Sequence, residues 1–483
     1  MFLQDNDCKL MHFGVYKGQL NLSISTRDAP MSSVFIPVNR KAPYLFPPPI
    51  NDWLPENHLA RFIVDIVSQL DLRSIKRAYS GNGSKAHHPA VILSLLFYGY
   101  ATGVYSSRKI ERATYDSIAF RYIAANTHPD HDTIATFRKR FLKEIESLFV
   151  QILLVAKEMK LLKLGNVSLD GTKIKANASK HSALSWAHAC KLEEQLKAEV
   201  EELMKLAESV DGADIPDGMD LPEEIARRQD RLERIAEAKE VIEQRAAERY
   251  AKEKQAHDEK IAQREAKEKE TGRKAGGKPP KPPEPGPQPK DQVNLTDEES
   301  RIMPSSGKGF EQAYNAQAAV DVETMLIVHN HVTQYTNDKQ EIDPTLQSLN
   351  DLPQELGEID GLLSDAGYFS EQNVINCEQA EVTPYIAPGR EQHNKAPMER
   401  FAPQKDPLPD EAGPVDRMKH RLKSKEGREL YAKRKCTVEP VFGIIKQAMG
   451  FRQFLLRGLE AVAGEWNIVS IAWNLKRLFA IKG

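Results

Sequence analysis

Three acidic residues stand where the sequence pattern would place chemistry. Asp170 lies in "GNVSLDGTKIKANAS" (165–179), where Val167 and Leu169 alternate with Ser168 and Asp170 as in a half-buried strand. Asp365 closes "IDGLLSD", a strand that runs into the turn "AGYFS". Glu439 follows Arg434 and Lys435 and precedes Lys446 in "YAKRKCTVEPVFGIIKQAMG" (431–450). In open α/β sheets ligands gather at the carboxyl ends of strands, where a side chain is firmly held yet reachable. Converging carboxylates repel one another and cannot all stay ionised without compensation. Hard divalent cations supply it: Mg2+ prefers carboxylate and water oxygens and keeps positions open for phosphate. Two such ions about 3.5–4 Å apart activate an attacking oxygen and stabilise the leaving oxygen of a displacement at phosphorus. Basic residues nearby would grip the flanking phosphates. With Thr437 as N-cap, Pro440 falls in the first turn of a helix and Glu439 at its positive end, with Lys446 two turns further along the same face.

The elements that must position these acids form a mixed α/β sheet covered by helices. The order is strand, insert, strand, strand, helix, strand, helix, strand, helix. Taking the insert as 186–307, the 195 positions between Asp170 and Asp365 shrink to about 73, beside the 74 between Asp365 and Glu439. One catalytic domain of ordinary size remains, drawn from 161–185 and 308–460. In the insert, Leu192, Leu196, Val200, Leu203, Leu206 and Val210 form one helical stripe, and Ile225, Leu232, Ile235, Ile242 and Ala246 a second. They predict a charged antiparallel hairpin over 186–250. After Tyr250 the stripe fades, and "GGKPPKPPEPGPQPK" reads as a stiff linker, so 251–307 is expected to be a Lys/Glu- and Pro-rich connection.

Ahead of the first strand, residues 46–160 read as an all-helical domain. Leu59, Phe62, Ile63, Ile66 and Leu70 mark an amphipathic helix, Pro89 suits a first turn, and Asp132 is the expected N-cap of a segment over 133–160. Arg108, Lys109 and Arg112 fall on one helix and Arg138, Lys139 and Lys143 on another. Such a pair of faces fits a helix-turn-helix-like reader of DNA, and equally a solvated face of any bundle. Residues 1–45 read as an extended N-terminal arm and 461–483 as a C-terminal helix.

A net charge of -2 over 483 residues argues at first against a polyanionic partner. The average hides blocks: 12 Lys/Arg against 5 Asp/Glu over 71–143, 16 against 24 over 191–270, and 12 against 4 over 415–458. Four scattered cysteines suggest neither a disulfide framework nor a thiolate zinc site and fit a reducing, cytoplasmic setting. "AVILSLLFYGYATGVY" (90–105) is too short and interrupted for a membrane span and reads as a buried helix and turn. "VHNHVT" reads as strand surface, and "HPDHD" as a polar turn.

"LDGTKIKANAS", "LSDAGY" and "YAKRKCTVEPVFGIIK" resemble the three catalytic blocks of bacterial DDE insertion-sequence transposases. The third is similar to that group's Tyr, Arg, Glu, Lys signature, carried by Tyr431, Arg434, Glu439 and Lys446. One more residue separates Arg434 from Glu439 than in the group's pattern, which leaves Lys435 as a second candidate for the basic position. "HHPAVILSLLFYGYATGVYSSRKIERATYDSIAFRYI" is similar to the helical N-terminal domain common among these enzymes. The resemblance spans about 46–180 and 305–475. It implies an RNase H-like catalytic fold in which Asp170, Asp365 and Glu439 hold two Mg2+ ions, with Mn2+ able to substitute. It also implies double-stranded DNA as partner, both the element's terminal inverted repeats and the target, bound by a homodimer or larger assembly near the nucleoid. Tyr431, Arg434, Lys435 and Lys446, with Lys173 and Lys175, would position the transferred end. A catalytically inactive DNA-binding relative and a nuclease of the same fold are the alternatives.

Overall fold

Local signals in the first helices are met, with two shifts of boundary. The computed structural model describes residues 49–79, 86–208, 220–272, 277–305, 309–389 and 412–483. The expected arm at 1–45 and most of the hairpin turn lie outside them. Helices α1 (Leu59–Gln69), α2 (Arg73–Arg77), α3 (Pro89–Thr102), α4 (Ser107–Asp116), α5 (Ile118–Ile123), α6 (His131–Arg140) and α7 (Leu142–Glu158) come first. Pro89 opens α3, where its missing N–H costs nothing. Asp130, rather than Asp132, caps α6 by accepting from Thr133 N at 2.7 Å, which leaves Asp132 inside the first turn. The segment expected over 133–160 breaks at buried Phe141, so Lys139 belongs to α6 and Lys143 to α7.

The sheet is built outward from the strand that carries Asp170. Strand β1 (Asn166–Lys175) leads into β2 (Ala183–Ser185), then α8 (Trp186–Glu208) and α9 (Leu221–Thr271), and the chain returns through β3 (Gln292–Asn294) and β4 (Arg301–Pro304). Then follow β5 (Phe310–Asp321), β6 (Ile327–Thr333), α10 (Ile342–Asn350), β7 (Gly361–Ser364), α11 (Glu371–Gln379) and β8 (Thr383–Ile386). β1 pairs antiparallel with β5, Asp170 opposite Ala318, and parallel with β7, which pairs parallel with β8. β6 and β4 share the far edge of β5. This mixed six-stranded sheet with helices on its faces is RNase H-like. On β6 the two histidines are bonded to each other and onward: His329 Nε2 lies 2.9 Å from His331 Nδ1, and His331 Nε2 lies 2.7 Å from Glu341 Oε2.

The insert holds two long helices packed on each other, the second running past the expected end. β2 and β3 pair antiparallel at its base, and Leu196, Ile235 and Ile242 sit in a small core of its own. Arg228 reaches Glu199 at 2.9 Å and Lys239 reaches Glu193 at 2.7 Å between the two helices. α9 does not stop near Tyr250 but continues to Thr271. Its last five turns are rich in Ala, Glu, Lys, Gln and Arg, which favour helix without burial, and Arg264 faces Glu268 one turn on at 3.7 Å. The proline-rich stretch then runs back beside α9, where Arg264 donates to Gly277 O at 2.8 Å and Arg249 pairs with Asp291 at 2.8 Å.

Helices α12 (Pro414–Lys423), α13 (Lys425–Ala432), α14 (Arg434–Gln447) and α15 (Leu459–Lys482) close the chain. α15 ties the helical segment to the sheet. Trp466 Nε1 donates to Gln317 O at 2.9 Å, Asn474 exchanges bonds of 2.8 Å with both backbone groups of Ile327, and Asn467 Nδ2 donates to Ile145 O at 3.3 Å. One continuous core therefore runs from α1–α7 through α15 to the sheet. Arg138 belongs to that core. It is 7% exposed, and donates to Tyr100 Oη at 2.8 Å and to Tyr105 O at 3.3 Å, while Tyr100 donates at 2.7 Å to fully buried Glu465. The expected phosphate contact is thus corrected: this guanidinium is spent inside the protein. Among the described residues no single helix is long and apolar enough to cross a membrane.

Candidate active site

Asp170 and Thr172 alternate with Gly171 and Lys173 along β1, so the first pair faces one side of the sheet and the second the other. α14 packs on the Asp170 side. Lys446 Nζ donates to Thr172 Oγ1 and, at 3.0 Å, to Lys173 O, which ties helix to strand. Burial lowers its pKa, followed by the charge of Lys173. Asp365 stands at the carboxyl end of β7 and accepts from Gly367 N at 2.7 Å, capping a short 3-10 turn. Tyr431 Oη reaches Ser364 O, the neighbouring carbonyl, at 3.4 Å.

The helix bearing Glu439 starts earlier than expected. α14 begins at Arg434, and Thr437, instead of capping, donates its hydroxyl to Lys433 O at 2.7 Å one turn back while 1% exposed. Pro440 is therefore inside the helix. The earlier start settles which base faces the acids. Arg434 is buried, with Nη2 3.1 Å from Glu439 Oε1 and Nη1 3.8 Å from Asp170 Oδ2, whereas Lys435 is exposed. Arg434 Nε is buried without a hydrogen-bond partner.

Asp170 senses the rest of the site. Burial raises its carboxyl pKa to about 7; the Gly171 N–H and the Arg434 charge oppose the rise, and the charges of Asp365 and Asp338 add to it. Asp170 is thus linked to each of the other two acids, to Glu439 through the guanidinium between them and to Asp365 through its charge. As they stand, no three His, Cys, Asp or Glu side chains among the described residues are arranged to hold a metal ion. The donor set nonetheless suits a hard cation: all oxygen, with negative charge that one arginine does not balance.

Behind β1 lies a polar knot that sequence reasoning missed. Asp338 Oδ1 accepts from Asn315 Nδ2 at 2.7 Å and Gln317 Nε2 at 2.8 Å, with Lys173 Nζ at 3.4 Å. Buried Tyr368, from the Asp365 turn, donates to Gln317 Oε1. Two fully buried polar side chains within the largely buried β5, Asn315 and Gln317, were the available signal. Gly171 is what lets the knot approach. A Cβ there would lie 2.2 Å from Gln317 Nε2, 2.7 Å from Asp338 Oδ1 and 2.9 Å from Asn315 Oδ1. Gly171→Ala is expected to displace Asp170 and lower DNA cleavage on the order of a hundredfold, with DNA binding retained; cleavage at the wild-type rate would refute this.

The remaining expected contacts are dispersed. Lys175 pairs with Glu311 at 2.8 Å and Lys143 with Glu460 at 3.1 Å. Arg108, Lys109, Arg112 and Lys139 are exposed, Arg112 beside Asp116 at 3.1 Å.

Residues 48–140 match the family described as "Transposase domain (DUF772)", and residues 280–475 match "Transposase DDE domain". The two matches together support an insertion-sequence DDE transposase. The family implies DNA as substrate and a general dependence on divalent metal. The first match covers α1–α6, and the second contains Asp365 and Glu439 but starts after β1 and the helical hairpin. No curated protein and no solved structure matches the chain.

Proposed function

We propose that this transposase binds the terminal inverted repeats of its own element, cuts the phosphodiester bond at the element's end, and joins the freed 3'-OH to target DNA. The observation that carries the reading is Arg434 lying between Asp170 and Glu439, with Asp365 near enough for its charge to act on Asp170. Asp170, Asp365 and Glu439 would hold two Mg2+ ions, or Mn2+, which when bound make an attacking oxygen more nucleophilic and offset charge on the leaving oxygen. Arg434 holds Asp170 and Glu439 in register, Tyr431 braces the carbonyl beside Asp365, and Lys446 keeps α14 on β1. Exposed Lys435, with Arg108, Lys109, Arg112 and Lys139, supplies charge for phosphates along the DNA. Two ends must be held at once, so the active form is a homodimer or larger, in the cytoplasm at the nucleoid.

Incubation of the protein with DNA carrying the element's ends is expected to give nicked and joined products only with Mg2+ or Mn2+. Hydrolysis without joining would instead indicate a nuclease, and end binding without cleavage under any divalent ion a DNA-binding relative.

A further inference from the structure

We propose that Asp338 is a fourth carboxylate of the catalytic site, a positioning residue that holds the segments bearing Asp170 and Asp365 in the arrangement a divalent cation needs. The inference rests on reading those two residues as metal ligands. Asp338 lies between β6 and α10, remote in sequence from all three catalytic blocks, and its side chain is only 22% exposed.

Its two oxygens face different parts of the site. Oδ1 gathers Asn315, Gln317 and Lys173. In the sheet Asn315 stands opposite Lys173 and Gln317 opposite Gly171, so this oxygen spans β1 and β5 on the face of the sheet behind Asp170. Oδ2 borders the other acid's turn: a Cβ on Gly367 would lie 3.8 Å from it and 2.9 Å from Asp365 Oδ1. Gln317 closes the circuit by accepting from Tyr368, three residues after Asp365. One carboxylate thus joins the strand of the first acid to the turn of the second through hydrogen bonds, where apolar packing would leave both free to slide.

The chemistry favours a role toward a cation over a purely architectural one. Asn315 is fully buried, yet its Oδ1 has no partner and lies on the Gly171 side of the knot. A knot that served only to fasten strands would not gather a further negative group beside Asp170 and Asp365 and leave a buried acceptor unmatched. Partners that orient metal-ligating carboxylates typically change metal affinity about 10- to 100-fold when lost.

The test is calorimetric titration of the full-length, metal-free protein with Mn2+, alongside its melting temperature without metal. Asp338→Asn, which keeps the volume and removes the charge, is expected to weaken Mn2+ binding about 10- to 100-fold with the metal-free melting temperature nearly unchanged. Unchanged Mn2+ affinity in Asp338→Asn overturns the proposal alone. Wild-type affinity in Asp365→Asn, or no binding by the wild type, overturns the metal-site reading and this proposal with it. Should Asp338→Asn melt far below the wild type, Tyr368→Phe loosens the same knot from its other end. A few-fold loss of Mn2+ affinity there supports the proposal, and none overturns it.

Discussion

Asp365→Asn is expected to abolish cleavage and strand transfer while leaving DNA-end binding intact. The substitution is a narrow one. Asp365 accepts from Gly367 N at 2.7 Å to cap its turn, and an asparagine oxygen can accept that bond at nearly the same volume. What disappears is the charge at the carboxyl end of β7, one of the three acidic side chains that the fold gathers. A metal ion contributes several kcal/mol of transition-state charge stabilisation, and each 1.4 kcal/mol is a factor of ten, so the rate should fall on the order of a thousandfold or more. Single-turnover cleavage of labelled end DNA, with a gel-shift control for binding, measures both quantities. Wild-type cleavage by Asp365→Asn would sink the assignment of the site; loss of binding in step with loss of cleavage would assign Asp365 to DNA contact instead.

The second large effect lies far from the acids. Glu465 is fully buried on α15; it accepts from Tyr100 Oη at 2.7 Å, Leu455 N at 2.8 Å and Leu456 N at 3.0 Å. Tyr100 in turn receives Arg138. Burial, and then the charge of Glu465, keep the Tyr100 phenol neutral. Glu465→Ala leaves the hydroxyl and two N–H groups without their acceptor, at about 1–3 kcal/mol each when water cannot replace it. A loss of about 3 kcal/mol or more is expected, a fall of roughly 3–5 °C in melting temperature for a unit of 300–400 residues. Because Arg138 serves the same network, adding Arg138→Ala should cost less than the sum of the two single changes. Full additivity would show that the two residues act separately.

The contrast between these two sites explains how far the sequence could be read. Asp170, Asp365 and Glu439 were legible because each sits in a short block whose pattern states its element: alternation before Asp170, an apolar run ending at Asp365, bases around Glu439. Arg138 was not, because one charge within the basic run Arg138, Lys139, Arg140 looks the same whether its side of the helix meets solvent or another helix. The choice between Arg434 and Lys435 turned on where α14 begins, and that boundary follows from Thr437 being buried, a tertiary fact. Asp338 sits in "QYTNDKQE", which reads as an ordinary solvated turn; only the fold brings β5 and the Asp365 turn around it. The end of α9 was misplaced because periodicity registers burial, and its last turns are helical by propensity without being buried.

The place where the charged hairpin enters the chain carries its own consequence. β1 and β5 lie side by side and antiparallel, Lys175 opposite Ala313, a junction that a turn of two residues could close. Everything between them ahead of β4 is, topologically, one overgrown loop, and its entry and exit are already clasped together by β2 and β3. Closing a longer loop costs only about 0.6 kcal/mol for each doubling of its length. The hairpin can therefore lengthen, shorten or be exchanged between related enzymes without altering the register that sets Asp170 opposite Ala318, which frees its surface to diversify independently of the chemistry.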